Sequence, residues 1–188
     1  WRLTESGVRR AEGVEILEPI YARNERHGEL RDLLEAGLMD LTDPADQGDQ
    51  LRRIAELCEG PLEDPASAMA WYGKALQLDP EDEQSLGRLD DLATESGSWQ
   101  TYTDALLEAT EGAEAERKIT LWLKSAVATQ THLENKEDTE LLFLQILSVD
   151  EEQSDALEGL DSLYSGDERW NELEPVLVRR VHVAEYDD

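Results

Sequence analysis

The apolar residues of this chain return at a stride of 71–72 positions, and that periodicity constrains the fold more than any single motif does. Leu86, Leu89, Leu92, Trp99, Tyr102 and Leu106 reappear 71 residues later as Leu157, Leu160, Leu163, Trp170, Leu173 and Leu177. A shift of 72 residues in the other direction finds Val14, Leu17, Ile20, His27, Leu30 and Leu34. Of these 18 positions 17 are apolar or aromatic, where a chain that is 39% hydrophobic supplies about seven by chance. The stretch between the copies repeats as well: Leu51, Ala55, Leu62, Trp71, Tyr72, Ala75, Leu76 and Leu78 become Trp122, Ala126, Leu133, Leu142, Phe143, Ile146, Leu147 and Val149 at a shift of 71. Each 71-residue block is therefore two related halves of about 35 residues.

Each half reads as two helices. Leu86, Leu89 and Ala93 stand at helical spacing, as do Tyr102, Leu106 and Ala109, with Ser96, Gly97 and Ser98 between them as a turn. Asp43-Pro44, Asp64-Pro65 and Asp79-Pro80 each put a capping carboxylate before a proline, whose missing N–H costs nothing at the first helical position. Asp150 is read the same way, with Glu151 and Glu152 at the positive end of the helix dipole. These signals predict helices over 9–23, 27–41, 44–59, 65–78, 81–95, 98–110, 113–132, 136–149, 152–164 and 168–184, with part of an earlier helix at 1–6. Such helices, about 14 residues long with one apolar stripe, are marginal alone in water, so stacked hairpins must cover one another. The expectation is a single all-α domain, an α-solenoid of about five antiparallel helix pairs. Its units run approximately 9–43, 44–80, 81–112, 113–150 and 151–188, and 1–8 is the tail of a preceding unit.

The order of residues resembles the tetratricopeptide repeat, W-x2-L-G-x2-Y followed by A-x3-F and P. The half beginning at Leu51 matches best, with Ala55 at the small-residue position, Ala68-x3-Tyr72 in the second helix and Pro80 closing the unit. The half beginning at Trp122 keeps Ala126 and offers Thr139-x3-Phe143. In the halves at Val14, Leu86 and Leu157 the small-residue position is taken by Glu18, Asp90 and Asp161. The alternating halves are also similar to arrays in large bacterial scaffold proteins. The resemblance implies a right-handed superhelix with the first helix of each unit lining a concave groove, and hence a non-catalytic scaffold that binds a protein or peptide. Carried across by position, the groove presents Glu15, Arg52, Glu56, Asp91, Leu123, Val127, Glu158 and Ser162. Leu123 and Val127 stand out, because Trp122 and Ala126 already supply the buried stripe of their helix; exposed neighbouring apolar residues mark an interaction site, whereas burial of a long helix 113–132 on two sides is the plainer alternative. Some tetratricopeptide arrays clamp a peptide carboxylate with Lys and Asn of their first helices; here Asn24, Asn135 and Asn171 are read in turns and Lys is scarce, so a carboxylate clamp is not expected.

Charge narrows the partner. The formal net charge is −28, from 45 acidic and 17 basic residues, and every quarter of the chain carries an acidic excess. Such a surface repels phosphate backbones and anionic lipid, which argues against nucleic acid and membrane insertion; it suits a basic protein or peptide, while a solvated surface that keeps a long repeat protein soluble, or an acidic proteome, is the plainer alternative. No apolar run approaches 18 residues. The chain opens on Trp1 without a methionine, so the start of the full protein and any targeting segment are expected to lie elsewhere.

Catalytic, metal and cofactor chemistry find no foothold in the pattern. His27, His132 and His182 fall in different units without ligand spacing. His27 occupies the slot of Trp99 and Trp170, which are read as wedges at the hairpin turns. Cys58, the single cysteine, has interior spacing and reads as a small core residue. Two alternatives to the binding scaffold are a structural segment that self-associates or packs within a larger protein, and a helical enzyme with an unrecognised site. Because the −28 charge repels itself, the thermal midpoint is expected to rise between low and physiological salt; a differential-scanning series showing a flat or falling midpoint would refute this.

Overall fold

The computed structural model describes the backbone of residues 7–186 and the side chains of residue 14 and residues 16–184. Among the described residues there are ten α-helices and no strand, joined as five consecutive hairpins. They are α1 (Gly7–Arg23) with α2 (His27–Leu38), α3 (Pro44–Glu59) with α4 (Pro65–Leu78), α5 (Glu83–Ser96) with α6 (Trp99–Ala109), α7 (Ala115–Ala128) with α8 (Lys136–Val149), and α9 (Ser154–Gly166) with α10 (Trp170–Tyr186). Three of the predicted spans, 44–59, 65–78 and 136–149, coincide with α3, α4 and α8. The predicted helix fragment at 1–6 lies outside the described residues.

The hairpins close in one way throughout. Glu25, Glu63, Gly97, Glu134 and Glu168 all adopt a left-handed backbone, with φ of 53°, 51°, 70°, 52° and 55°. Glu25, Gly97 and Glu168 are equivalent under the long repeat, and so are Glu63 and Glu134. Four glutamates thus accept a conformation that glycine adopts without a Cβ penalty.

Helix starts follow local capping chemistry, with two corrections to the sequence reading. Asp43 accepts from the Ala45 N–H and Asp64 from the Ser67 N–H, as expected. Asp79 and Asp150 instead accept from the Glu81 and Glu152 N–H groups inside a turn. The caps are the next polar residues along, Asp82 for α5 and Gln153 for α9. Either pair offers a turn acceptor followed three residues later by a better-placed cap, and the helix begins at the second. A third correction concerns the helix predicted over 113–132. It is α helical only to Ala128 and continues as a π-helical turn, Thr129–Leu133.

The core runs from hairpin to hairpin. Leu30, Leu34, Ile54, Tyr72, Leu76, Leu89 and Leu106 belong to one buried cluster that reaches Leu121 and Ala128 of α7. A second cluster begins at Ala126 of the same helix and runs through Phe143, Ile146, Leu157 and Leu160 to Val176. Cys58 is fully buried, and burial pushes its thiol pKa up. Close approach of two helices is set by glycine at two places. A methyl on Gly73 of α4 would stand 3.1 Å from the Ala105 methyl of α6, and one on Gly159 of α9 would run into the Phe143 ring of α8.

Three glycine-to-alanine substitutions should separate these effects in urea titrations. Gly159→Ala overpacks the α8–α9 seam and should cost about 1–3 kcal/mol, and Gly97→Ala meets open space but strains a left-handed residue, for about 1–2 kcal/mol. Gly87→Ala, mid-helix in α5 with nothing within 4 Å, should instead stabilise by about 0.5–1 kcal/mol. Equal effects at the three positions would disprove the packing account.

Candidate functional site

The first helices α3, α5 and α7 are tied to one another, and to neighbouring turns, by ion pairs. Arg52 of α3 reaches Asp82 at the start of α5 at 2.7 Å, and also pairs with Asp49. Arg88 of α5 returns to Glu59 at the end of α3 and holds Asp91 of its own helix at 2.7 Å. Lys124 of α7 meets Asp90 of α5 at 2.9 Å. Arg117, nearly buried, donates to the Pro80 carbonyl and the Glu83 carboxylate, both at 2.6 Å.

The acidic residues that break the tetratricopeptide pattern thereby find their reason. Glu18 pairs with Arg53, Asp90 with Lys124 and Asp161 with Arg180. The first two are the same contact one block apart, since Glu18 and Asp90 are repeat equivalents and so are Arg53 and Lys124. Asp90 also accepts from the Tyr102 hydroxyl. Sequence reasoning treated these acids as departures; the matching cation at the same stride was the signal that could have explained them.

Of the groove residues expected from sequence, the structure gathers two. Leu123, half-buried, and Val127, 56% exposed, line an open hollow of about 430 Å³ with Trp99, Tyr102, Lys124, Ala128, His132 and Asp155. One wall is a stacked pair: the His132 ring lies on Trp99 with centroids 3.7 Å apart and planes 3° from parallel. Trp99 also meets Tyr102 edge-on at 5.7 Å. The π-turn makes this wall, because it carries His132 round to the tryptophan. α7 is buried from two sides, as the plainer alternative had it, but Val127 stays open between them.

The other groove residues lie outside that hollow. Arg52 is committed to Asp49 and Asp82, Asp91 to Arg88, while Glu56, Glu158 and Ser162 are exposed on α3 and α9. The side chain of Glu15 lies outside the described residues. Trp170 is 62% exposed, so it is not the wedge that the repeat suggested; its equivalent Trp99 is covered by the π-turn, and no such turn follows α10 among the described residues. Asn24 and Asn135 lie in turns as read, whereas Asn171 sits in the first turn of α10.

Three buried phenols and one carboxyl are shifted by their surroundings. Burial and the adjoining Glu140 carboxylate push the Tyr164 phenol up to about 12, and burial with Glu59 and with Asp90 raises Tyr72 and Tyr102 in the same direction. These phenols are fixed donors near neutral pH. For Asp82 burial opposes ionisation, but hydrogen bonds from the Ser85 hydroxyl and N–H and from Arg52 outweigh it and hold the carboxyl below its ordinary range. Among the described residues no group of three or more His, Cys, Asp or Glu is placed to hold a metal ion, and no helix is long and apolar enough to cross a membrane.

No protein-family model matches the chain, and no curated protein does. Solved structures do. A crystal structure of MamA superposes with a TM-score of 0.52 at 13% identity, covering 91% of this chain and 96% of that one. The MamA RS-1 ArsTM double mutant gives a TM-score of 0.50 at 13% identity over 95% and 97%. Both are tetratricopeptide-repeat proteins, and the likeness is one of fold. This chain is a tetratricopeptide-like array of helical hairpins.

Asp82 carries a pH prediction. A carboxyl whose native pKa is depressed contributes stability above its unfolded value, about 3.9, and loses it as pH falls through the native value. Asp82→Ala should cost about 2 kcal/mol at pH 7, from the lost cap and the uncompensated Arg52. The gap to the parent should close on acidification below about pH 4 in urea titrations. A gap of constant size would show that the carboxylate charge is not what matters.

Proposed function

We propose that the chain is a non-catalytic scaffold that holds a protein or peptide partner against the face made by its first helices, centred on Leu123 and Val127. The observation that carries this reading is the hollow itself: an open Val127 beside a half-buried Leu123, a stacked Trp99–His132 wall, and a rim that includes Asp155. Rigid aromatic walls around exposed aliphatics suit an apolar anchor residue on a partner. Glu158, exposed on the next first helix α9, and Glu56, exposed further along on α3, favour an anchor flanked by Lys or Arg.

Structural self-association is a second reading, and one observation favours it. Leu177 and Ile20 are 42% and 45% exposed, whereas their central equivalents Leu106 and Leu92 are 0% and 3% exposed. The outer hairpins thus present stripes that interior hairpins bury.

Panning a displayed random-peptide library against the chain tests the first reading. Enriched peptides should pair an apolar anchor with basic flanks, and Val127→Gln should weaken them by about tenfold. Absence of enrichment, or enriched peptides indifferent to Val127→Gln, would count against it. Sedimentation across a concentration series addresses the second: association relieved by Leu177→Gln, without peptide binding, would make the role structural.

A further inference from the structure

The second helices carry a feature that the first-helix face does not explain. At the α4–α6 seam Gly73 lets Ala105 approach closely, but α6 and α8 are held apart, with the π-turn Thr129–Leu133 touching both. Between them opens a groove of about 500 Å³, within the roughly 300–1,000 Å³ span of ligand sites. Its walls are two helical stripes. Gln100, Asp104 and Leu107 follow one another along α6, with Glu111 in the turn beyond it, and Asp138, Leu141 and Gln145 follow along α8. Trp122 and Leu133, both half-buried, form the floor. On α7 this groove uses the flank bearing Trp122, a different one from that bearing Leu123 and Val127.

Three properties define what fits. The floor and inner walls are apolar and accessible, with Leu107 36% and Leu141 59% exposed. The walls are 11 and 14 residues long, which at 1.5 Å per residue is about 16–21 Å, or three to four turns of helix. The charges are of one sign: Asp104, Glu111 and Asp138 line the groove, with no Lys, Arg or His among its lining residues. Asp104 accepts only from Gln100 and Asp138 from Asn135, and among the described residues none of the three carboxylates has an ion-pair partner. On the first-helix side, by contrast, Asp82, Asp90 and Asp91 are all matched with cations.

The same place in the preceding block makes the comparison. Between α2 and α4 lies a hollow of about 490 Å³, lined by Leu38, Met39, Leu51 and Leu78. The hollow is therefore a product of the repeat, but there its charged lining residue is Lys74 and it has no carboxylate. The acidic lining belongs to the α6–α8 copy alone among these two.

We propose that the α6–α8 groove is a docking site for a cationic amphipathic helix of a partner protein, about three turns long. Its apolar face, with residues at i, i+3, i+4 and i+7, lies on Leu107, Trp122, Leu133 and Leu141. Its Lys or Arg residues meet Asp104, Glu111 and Asp138. An apolar helix without cations would leave those carboxylates desolvated and unmatched, and an unstructured cationic chain would leave the leucines uncovered.

The probe is a fluorescein-labelled 14-residue Leu/Lys peptide with its leucines on one helical face, read by anisotropy against the 188-residue chain. A peptide of equal composition, scrambled so that no face is apolar, controls for the attraction of any cation to a surface of net charge −28. The amphipathic peptide should bind at least about tenfold more tightly than the scrambled one. Leu107→Gln with Leu141→Gln should lower its affinity about tenfold without altering the scrambled peptide, because these exposed positions leave the core intact. Asp104→Asn with Glu111→Gln should lower the affinity and flatten its salt dependence. Leu177→Gln, at an exposed apolar position elsewhere, should leave binding unchanged. Equal binding of the two peptides, or indifference to the leucine pair, overturns the proposal. Loss on Val127→Gln also overturns it, by moving the peptide to the first-helix hollow. Failure here leaves the Leu123–Val127 reading standing, since the two grooves share no lining residue.

Discussion

The continuity of the array depends on α7 being buried from two sides at once. Leu121 and Ala128 close the cluster that begins at Leu30, and Ala126 opens the cluster that ends at Val176. A helix of 14 residues has only about four turns to give, so serving two cores leaves little of its surface uncommitted. Ser125 and Ala126 are fully buried, yet Val127 between Ala126 and Ala128 is open. Nothing shorter than a full double-sided interface would hold hairpins on either side of α7 in one stack, because each hairpin alone has too small a core.

Ion pairs fix how the units sit rather than how strongly they hold. The Asp90–Lys124 pair is exposed by 39% and 38%, a situation in which a pair contributes at most about 1 kcal/mol. Its recurrence as Glu18–Arg53 is more informative than its strength. A cation and an anion repeated at the same stride on successive first helices reward one lateral register, while the leucines beneath tolerate small slips. Asp82 adds to this, since one carboxylate caps α5 and receives Arg52 from α3.

Much of the fold was legible because apolar spacing and turn chemistry are local. The Asp-Pro starts at α3 and α4 and the Leu86–Leu106 stripe needed no tertiary knowledge. The failures were of two physical kinds. At Asp79 and Asp150 two candidate caps compete three residues apart, and only geometry decides between turn and helix. At Trp170 and Leu177 the sequence repeats but the surroundings do not, because burial depends on the neighbour and the repeat encodes only the unit. The candidate site was half visible: Leu123 and Val127 were recognisable as apolar residues in excess of what the core needed. His132 and Trp99 were seen separately, and their stacking was invisible because nothing in the sequence announces a π-turn.

That π-turn is where the two grooves meet. An α-helix of unchanged pitch through Thr129–Leu133 would place His132 one way or Leu133 the other, but the wider turn lets both be used. His132 swings onto Trp99 and walls the first-helix hollow, while Thr129 and Leu133 line the groove between α6 and α8. In the preceding block α3 ends at Glu59 without a π-turn, and no ring is stacked at the equivalent place among the described residues. The hollow between α2 and α4 survives there, but without the acidic rim. One local departure from regular helix, in a chain otherwise ruled by repetition, therefore distinguishes the fourth hairpin from the second and concentrates the unmatched apolar surface on it. Specificity in a repeat protein has to come from places where the repeat is broken, and here the break, the exposed leucines and the unpaired carboxylates fall on the same twenty-odd residues of α7 and α8 and on the helix facing them.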